Sequence, residues 1–213
     1  MIRIVVADDH TIVREGLKQL LGAAADLAVV GEAQNGHELM ERVRGLEFDL
    51  LLLDMSMPGK SGIELIKQVR AEKPKMRILV LSMHEEHQYA VRAIRAGAAG
   101  YLTKDSASRQ LVEAIRKIAS GGAFISAEVA QQLALGAMPD AQGPLHGALS
   151  DREFQVFKLI AEGKSVSDIA ERLNLSVKTV STHKSNILQK MNMTTQAELI
   201  RYAINERLVD QGS

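Results

Sequence analysis

Short apolar runs and amphipathic segments alternate along residues 1–122. The apolar runs are rich in Val, Ile and Leu and lack polar alternation, which is typical of strands buried on both faces. They are Ile2–Ala7, Leu27–Val30, Phe48–Leu53, Arg77–Ser82 and Gly100–Thr103. The segments between them carry apolar residues at helical spacing, and these are Thr11–Leu21, His37–Val43, Gly62–Arg70, Gln88–Ala96 and Ser106–Ala119. This succession predicts an α/β fold, a doubly wound five-stranded parallel sheet with helices on both faces.

The pattern changes after residue 122. Residues 123–147 begin as a short Ala- and Leu-rich helix and continue as Gly, Pro, Asp and Gln without periodicity, which predicts a linker. Residues 148–213 show only helix signals, so a second, all-α four-helix domain is expected. Ser150 and Glu153 fit a capping box before its first helix, and Gly163 is a natural stop. The later predicted helices are Ser167–Leu173, Val177–Met191 and Thr195–Glu206, the last with a capping box from Thr195 and Glu198.

Composition narrows the classes of function. Hydrophobic residues make up 46% and charged residues 24%, which is typical of a folded globular chain. The 26 basic and 26 acidic residues cancel, which excludes a histone-like protein but leaves room for a local basic face. The absence of cysteine excludes disulfides, thiolate metal sites and cysteine nucleophiles. Neither a signal peptide nor a membrane-length apolar run is evident, so we expect a cytosolic protein without a membrane partner.

Polar side chains stand where the predicted strands end. Asp8 and Asp9 follow the first strand, Asp54 the third, Ser82 closes the fourth and Lys104 follows the fifth. Because the carboxyl ends of parallel strands meet at one edge, these groups should converge there. Crowded carboxylates repel each other and need a cation, and a set of oxygen ligands favours Mg²⁺. A lysine beside such a site balances an incoming phosphoryl group as a point charge.

Each of these residues alone has a plainer interpretation. An aspartate at a strand end, such as Asp8 or Asp9, is often only a helix cap, and a lone Lys104 is most often a solvated charge. His10, next to the acids, is interpreted as a helix-start residue rather than a proton participant. The coincidence of the whole set at successive strand ends favours a functional site.

In order and spacing, one set of residues resembles the receiver domain of two-component response regulators. The set consists of Asp8-Asp9, Asp54 followed by Met57-Pro58-Gly59, Ser82 and Lys104. The resemblance spans the whole first domain and implies a flavodoxin-like fold. It also implies that Asp54 is the phosphoacceptor, which receives its phosphoryl group from a sensor histidine kinase.

The resemblance also assigns roles around that aspartate. It implies a Mg²⁺ ion held by Asp9, Asp54 and the backbone carbonyl of Ser56, with Asp8 assisting. It implies that Lys104 contacts the phosphoryl group and that Ser82 moves to bond one phosphoryl oxygen, while Tyr101 turns inward as part of the switch. The site would stabilise phosphoryl charge by positioning and electrostatics.

The predicted helix Val177–Met191 has a polar face opposite an apolar stripe of Val180, Ile187 and Met191, at about 100° per residue. It follows a short helix and a tight connection, which is the helix-turn-helix layout. Small hydroxyl and amide groups suit base edges in the major groove, and lysines suit phosphates. The residues predicted to contact double-stranded DNA are Lys178, Thr179, Ser181, Thr182, His183, Lys184, Ser185, Gln189 and Lys190.

The second domain resembles the C-terminal domain of the LuxR/NarL/FixJ class. The residues that carry the resemblance are Leu149–Glu153, Ile169-Ala170, Leu173, Leu175-Ser176, Lys178–Val180, His183 and Ile187. It implies that Val177–Met191 enters the major groove and that Thr195–Glu206 supplies a dimer face. Some members carry Lys at the positions of Ser181 and Ser185, so here more affinity should rest on phosphate contacts. We expect His183 to be half-buried and structural, and Lys184 to be the weakest of the three lysine contacts.

The leading hypothesis is a transcription factor in which phosphorylation of Asp54 favours homodimers and sequence-specific binding to a two-fold DNA site. RNA polymerase is a further candidate partner. One alternative is a stand-alone phosphatase, but the first strand ends in Asp8-Asp9-His10-Thr11 and lacks the usual second acid two residues after the nucleophile. We expect only slow Mg²⁺-dependent phosphotransfer to, and dephosphorylation of, its own aspartate. The other alternative is a phosphorylation-independent DNA binder with a vestigial receiver.

Overall fold

The fold was taken from a computed structural model that describes residues 1–57, 62–82, 87–135, 144–206 and 208–209. Pro58 and Gly59 of the predicted motif, and residues 136–143 of the predicted linker, lie outside the described residues. The chain divides into two compact units, Met1–Ala134 and Leu135–Ser213, and each is described by itself. No helix in the described part of the chain combines the length and the apolar character that crossing a bilayer requires.

The first unit contains the predicted parallel sheet. Its strands are β1 Ile2–Ala7, β2 Leu27–Ala33, β3 Leu50–Asp54, β4 Arg77–Ser82 and β5 Gly100–Thr103. They are ordered β2-β1-β3-β4-β5, and every neighbouring pair is parallel. β2 continues to Ala33, beyond its predicted end, because Ala33 pairs with Ala7 at the end of β1. All residues of β3 are buried, as expected of a strand covered on both faces.

Helices cover both faces of this sheet, as the sequence predicted. They are α1 Thr11–Gly22, α2 Gly36–Gly45, α3 Gly62–Glu72, α4 His87–Ala96 and α5 Lys104–Ala119. Alternate residues of β3 point to opposite faces. Leu51 and Leu53 join one core with the apolar residues of α2, α3 and α4, and Leu50 and Leu52 join the other with those of α1 and α5. The resulting three layers hold the strand ends in place.

The helix predicted at the start of the linker is present as α6, Ala127–Leu135. Its Val129 packs with Ala90 and Val91 of α4 in a third buried cluster. The chain before it runs along the sheet edge, where the Tyr101 N–H donates to the Phe124 carbonyl at 2.9 Å. Most of α6 therefore belongs to the first compact unit, while the domain boundaries at 122 and 148 stay predictions.

The second unit is all-helical, as predicted. A 3₁₀ turn at Leu145–Ala148, which the sequence interpretation missed, precedes α7 Asp151–Ala161, α8 Val166–Arg172, α9 Val177–Lys190 and α10 Gln196–Asn205. The capping boxes at Ser150/Glu153 and Thr195/Glu198 are confirmed, and a third stands at Ser165/Asp168. Gly163 ends α7 with a φ of 79°, a conformation that suits glycine. These capping residues and Gly163 define where helices of the bundle begin and end, and so where the short connections between them lie.

Candidate functional site

The strand ends of the first unit bring an acidic cluster together. Asp8 and Asp54 are each only 1% exposed. Ligand atoms of Asp8, Asp9, His10 and Asp54 all lie within 4.8 Å of one another. β1 and β3 are adjacent in the sheet, and both end at this edge. The predicted convergence of the acids is therefore present.

Lys104 neutralises part of this charge. It is the first residue of α5, so the end of β5 places it directly beside the acids. Its Nζ donates to Asp8 Oδ2 at 2.6 Å and lies 3.0 Å from Asp54 Oδ2. Burial by itself lowers the pKa of Lys104, but the carboxylates of Asp8 and Asp54 outweigh it and raise the pKa above its ordinary value. The ammonium thus stays charged between two carboxylates.

Asp54 sits in an environment that opposes its charge. Burial raises the pKa of its carboxyl above the ordinary value, the charge of Lys104 lowers it, and the nearby Asp8 raises it again. The backbone N–H of Ser56, on an exposed turn, donates to Asp54 Oδ1 at 3.2 Å. The side chains around Asp54 therefore only partly neutralise the negative charge of its carboxylate.

Two oxygens of the cluster are suited to a cation. Within the described ranges, His10 Nδ1 lies 2.9 Å from Asp9 Oδ1 and Lys104 Nζ lies 3.0 Å from Asp54 Oδ2, but neither of these buried oxygens accepts a hydrogen bond of good geometry. Buried polar atoms usually have one, and a hard divalent cation ligated by carboxylate oxygens would satisfy both. The cluster fits such an ion, with Asp8, Asp9 and Asp54 as the available carboxylates.

Ser82 and Tyr101 meet beside this site. Ser82 ends β4 and is 2% exposed, and its strand pairs in register with both β3 and β5. The Tyr101 phenol is hydrogen-bonded to the Ser82 side chain. Burial raises the pKa of Tyr101 to about 12, while the bond to Ser82 lowers it and the charge of Asp54 raises it. The two predicted switch residues are thus joined to each other and close to the predicted phosphoacceptor.

Two contacts at this edge, one made by His10 and one by Arg14, were not predicted from the sequence. His10 is the N-cap residue of α1, as interpreted, and its imidazole Nδ1 also lies 2.9 Å from Asp9 Oδ1, a contact that the sequence did not predict. Arg14 is 4% exposed and donates to the backbone carbonyl of Asp8. The burial of Arg14 could have been predicted from its helical spacing, because it lies on the same buried stripe of α1 as Leu17 and Leu21.

The second unit presents the predicted DNA-contacting helix, α9. The apolar stripe of Val180 and Ile187 is buried, and Met191 follows it at the C-cap. Among the predicted contact residues, His183 and Lys184 are half-buried, which confirms the expectation for the burial of His183. The exposed ones are Lys178, Thr179, Ser181, Thr182, Ser185, Gln189 and Lys190. The polar face of α9 is therefore open to solvent within this unit.

Several of these side chains already have partners in the folded unit. The hydroxyls of Ser181, Thr182 and Ser185 donate to backbone carbonyls one turn earlier on α9. Lys184 donates to Gln196 at 2.6 Å, and Lys190 donates to Glu153 at 2.7 Å. Contacts of these residues with a phosphate or a base would compete with bonds that the fold makes.

Family models match both units. The model described as "Response regulator receiver domain" matches residues 4–116. The model described as "Bacterial regulatory proteins, luxR family" matches residues 147–203. The two matches cover the sheet with its acidic edge and the helical bundle with α9.

Full-length relatives share this arrangement. Response regulator GacA of Pseudomonas aeruginosa is 36% identical over 214 residues, which covers 100% of both chains. Response regulator UvrY of Escherichia coli K12 is 36% identical over 209 residues, which covers 98% of this chain and 96% of UvrY. RcsB of Salmonella enterica serovar Typhimurium, solved on promoter rprA with phosphomimetic BeF₃⁻, has a TM-score of 0.66 at 29% identity and covers 95% of this chain and 98% of RcsB. A structure of two RcsB dimers on two parallel DNAs has a TM-score of 0.59 at 29% identity and covers 95% of this chain and 98% of RcsB.

These relatives are regulators of transcription and not enzymes in the usual sense, which goes against the stand-alone phosphatase. Both compact units have a counterpart in the same relatives, in the same order along the chain. The chain belongs to the LuxR/NarL/FixJ class of two-component response regulators, which join a receiver domain to a LuxR-type helix-turn-helix DNA-binding domain.

Proposed function

We propose that Asp54 accepts a phosphoryl group from a sensor histidine kinase, and that this acyl phosphate promotes dimerisation and sequence-specific binding to DNA. The observation that carries the proposal is the placement of a buried Asp54 at the end of β3, with the Lys104 ammonium 3.0 Å away. A carboxylate nucleophile next to a fixed cation is suited to phosphoryl transfer, which depends on positioning and electrostatic stabilisation.

The transfer is a single displacement at phosphorus. A carboxylate oxygen of Asp54 forms the new P–O bond while the P–N bond of the donor's phosphohistidine breaks. The bonding electrons leave on the imidazole nitrogen, which takes up a proton from water. Lys104 offers a positive charge to the phosphoryl oxygens, in addition to its present bond with Asp8 at 2.6 Å. Slow hydrolysis of the acyl phosphate returns the aspartate.

We further propose that the bound cation is Mg²⁺, held by Asp9, Asp54 and the backbone carbonyl of Ser56, with Asp8 assisting. The buried oxygens of Asp9 and Asp54, which accept no hydrogen bond of good geometry from the described residues, support this assignment. When bound, Mg²⁺ would neutralise carboxylate charge and accept a phosphoryl oxygen. His10, 2.9 Å from Asp9, adds an imidazole at the rim of the same cluster.

Ser82 and Tyr101 form the proposed switch. Their hydrogen bond joins the last residue of β4 to the second residue of the adjacent β5, and Tyr101 packs against the cluster that α4 shares with α6. A phosphoryl group on Asp54 would compete for the Ser82 hydroxyl, because phosphoryl oxygens are stronger acceptors than a phenol. Phosphorylation of Asp54 can thereby favour one conformation of Tyr101 over another.

The proposed output is binding of α9 in the major groove of double-stranded DNA by two copies of the chain. The exposed polar face of α9 supports this proposal, with Lys178, Lys184 and Lys190 as phosphate contacts and hydroxyls at Ser181 and Ser185 for base edges. The RcsB structures on promoter DNA and as dimers on DNA support the same arrangement. We place the dimer face on α10, within the predicted segment Thr195–Glu206.

One titration tests the proposal. The parent chain and Asp54→Asn are incubated with Mg²⁺ with and without acetyl phosphate, and each sample is divided for mass spectrometry, sedimentation and DNA binding. The parent should gain about 80 Da at Asp54, sediment as a dimer and bind DNA more tightly, whereas Asp54→Asn should do none of these. Asp26→Asn, in a surface pair with Arg116 at the opposite edge of the sheet, is the matched control and should behave as the parent.

Two results would contradict the proposal. The first is a parent chain that gains no phosphoryl adduct from any donor, including a phosphorylated histidine kinase. The second is an Asp54→Asn chain that binds DNA as tightly as the phosphorylated parent, which would favour a DNA binder with a vestigial receiver.

A further inference from the structure

Arg14 is a buried cation beside the acidic cluster. Its side chain lies on α1 and belongs to the buried stripe with Leu17 and Leu21, where an apolar residue is the norm. The residue is only 4% exposed. Burying a guanidinium costs free energy unless its charge is paired and its N–H groups are hydrogen-bonded. The partners of Arg14 therefore indicate why this side chain is buried.

The shortest bond of Arg14 goes to the backbone of the acidic cluster. Nη1 donates to the carbonyl oxygen of Asp8 at 2.7 Å. The bonds to Glu32 Oε2 and Thr11 Oγ1 are both 3.4 Å long. Glu32 also accepts from Lys18 at 2.9 Å, so it has a second and closer cation. Among the described residues, the contact with the Asp8 carbonyl is therefore the only one of ordinary hydrogen-bond length that the guanidinium makes.

That carbonyl belongs to the peptide group that links Asp8 and Asp9. A peptide group is planar, so holding its oxygen fixes the orientation of the whole unit. The torsions on either side of it set the directions of the two carboxylates. The Asp8 N–H is already held by the Ala33 carbonyl at 3.1 Å, and the His10 N–H donates to Asp8 Oδ1 at 2.8 Å. Arg14 fixes the part of the turn between these two bonds.

We propose that Arg14 is a positioning residue for the divalent cation: it holds the Asp8–Asp9 peptide so that both carboxylates meet the ion together with Asp54. This inference rests on the proposed function of the site. It differs from a purely architectural role, in which Arg14 would join α1 to β2 through Glu32. The two roles use different bonds of the same guanidinium, so they can be separated by substitution.

The test compares four variants of the full chain. Arg14→Met removes all donors and keeps an unbranched side chain of helical preference, while Arg14→Lys keeps the charge and a single donor group. Glu32→Gln weakens the architectural pair and leaves the Asp8 carbonyl bond in place. Lys18→Met removes the other cation bound to Glu32, one turn further along α1, and is the matched control.

The readouts are the Mg²⁺ dissociation constant by calorimetry, the Mg²⁺ dependence of phosphorylation by acetyl phosphate, and the amide exchange of β3 as a measure of folding. We expect Arg14→Met to weaken Mg²⁺ binding by about 10–100-fold, the range found when a partner of a metal ligand is removed. Saturating Mg²⁺ should restore the phosphorylation rate. Arg14→Lys should lie between Arg14→Met and the parent, and Glu32→Gln and Lys18→Met should stay within about twofold of the parent.

Two outcomes would overturn the inference. One is unchanged Mg²⁺ affinity in Arg14→Met. The other is an equal loss in Glu32→Gln, which would assign Arg14 to the architecture of α1 and β2. If Arg14→Met does not fold, the Mg²⁺ affinity of Arg14→Lys is compared with those of the parent and Glu32→Gln instead, and the same two outcomes apply. A parent that binds Mg²⁺ but gains no phosphoryl group would contradict the proposed function alone, whereas a parent that binds no Mg²⁺ would contradict both.

Discussion

Lys190 at the end of α9 donates a 2.7 Å hydrogen bond to Glu153 in the first turn of α7. Glu153 is 4% exposed, and the same carboxylate oxygen accepts the Ser150 N–H at 2.8 Å to close the capping box. Burial raises the pKa of Glu153, but Lys190 and the bonds from Ser150 more than offset this and hold it below the ordinary value. A lysine predicted to contact phosphate thus also stabilises the fold of its own domain.

The bond between Lys190 and Glu153 predicts that substitutions of Lys190 and of Lys178, both on α9, have different effects on stability and on DNA binding. Lys190→Met should destabilise the second unit by about 1–3 kcal/mol, because a buried carboxylate loses its charged donor. Lys178→Met, at an exposed position, should change the free energy of unfolding by no more than about 0.5 kcal/mol. It should instead weaken binding to all DNA sequences and reduce the slope of log K against log salt concentration by about 1. Amide exchange of α7 and DNA titrations at several salt concentrations measure the two effects. Equal losses of stability would contradict this division.

The raised pKa of Asp54 predicts a pH-dependent cost to stability in the absence of divalent cations. A carboxyl whose pKa is higher in the folded chain than its ordinary 3.8 binds its proton more tightly when folded, so stability falls as pH rises from 3.8 through the folded-state pKa. Asp54→Asn should therefore be more stable than the parent at pH 7 in a chelator, and the difference should vanish toward pH 3.8. Mg²⁺ should stabilise the parent more than the variant. Amide exchange of β3 over a pH series, corrected for the intrinsic exchange rate, gives the comparison.

Removal of Lys104 should expose the repulsion within the acidic cluster. Lys104→Met leaves Asp8 and Asp54 buried without their cation, which should cost about 3–5 kcal/mol of stability. Saturating Mg²⁺ should recover part of that loss. Lys18→Met breaks only partly exposed pairs and should cost no more than about 1 kcal/mol. Amide exchange of β3 measures the stability of both variants. A loss of less than about 1 kcal/mol for Lys104→Met in a chelator would contradict the role of Lys104 in balancing the charges of Asp8 and Asp54.

The helicity of α6 should depend on its contact with α4. A helix of nine residues is marginal in isolation, and Val129, 3% exposed, is the buried residue through which α6 joins Ala90 and Val91. Val129→Ser should accelerate amide exchange in α6 by about tenfold or more and leave α5 unchanged, since the loss of a buried apolar group costs more than about 1 kcal/mol. Ala130→Ser, which introduces the same residue on an exposed position of the same helix, is the control. Unchanged protection of α6 in Val129→Ser would show that this contact does not hold the helix.

Local pattern was enough to predict most of the elements and the location of the site. The apolar runs ended at Asp8, Asp54 and Ser82, and because parallel strands end at one edge, these side chains had to meet there. The capping boxes at Ser150 and Thr195 were likewise readable, because a cap joins residues three positions apart. The roles of the individual residues, by contrast, came from resemblance and stay proposals.

The sequence by itself determined the order of elements, the edge at which the acids gather and the polar face of α9, since each depends on periodicity and near neighbours. The tertiary structure alone decided the partners: Arg14 on the Asp8 carbonyl, Lys190 on Glu153 and the docking of α6 on α4. Lys104 and Asp8, whose side chains bond, are 96 positions apart. Such pairs depend on how whole elements pack and on which long side chain reaches across the gap, and no local pattern encodes that geometry.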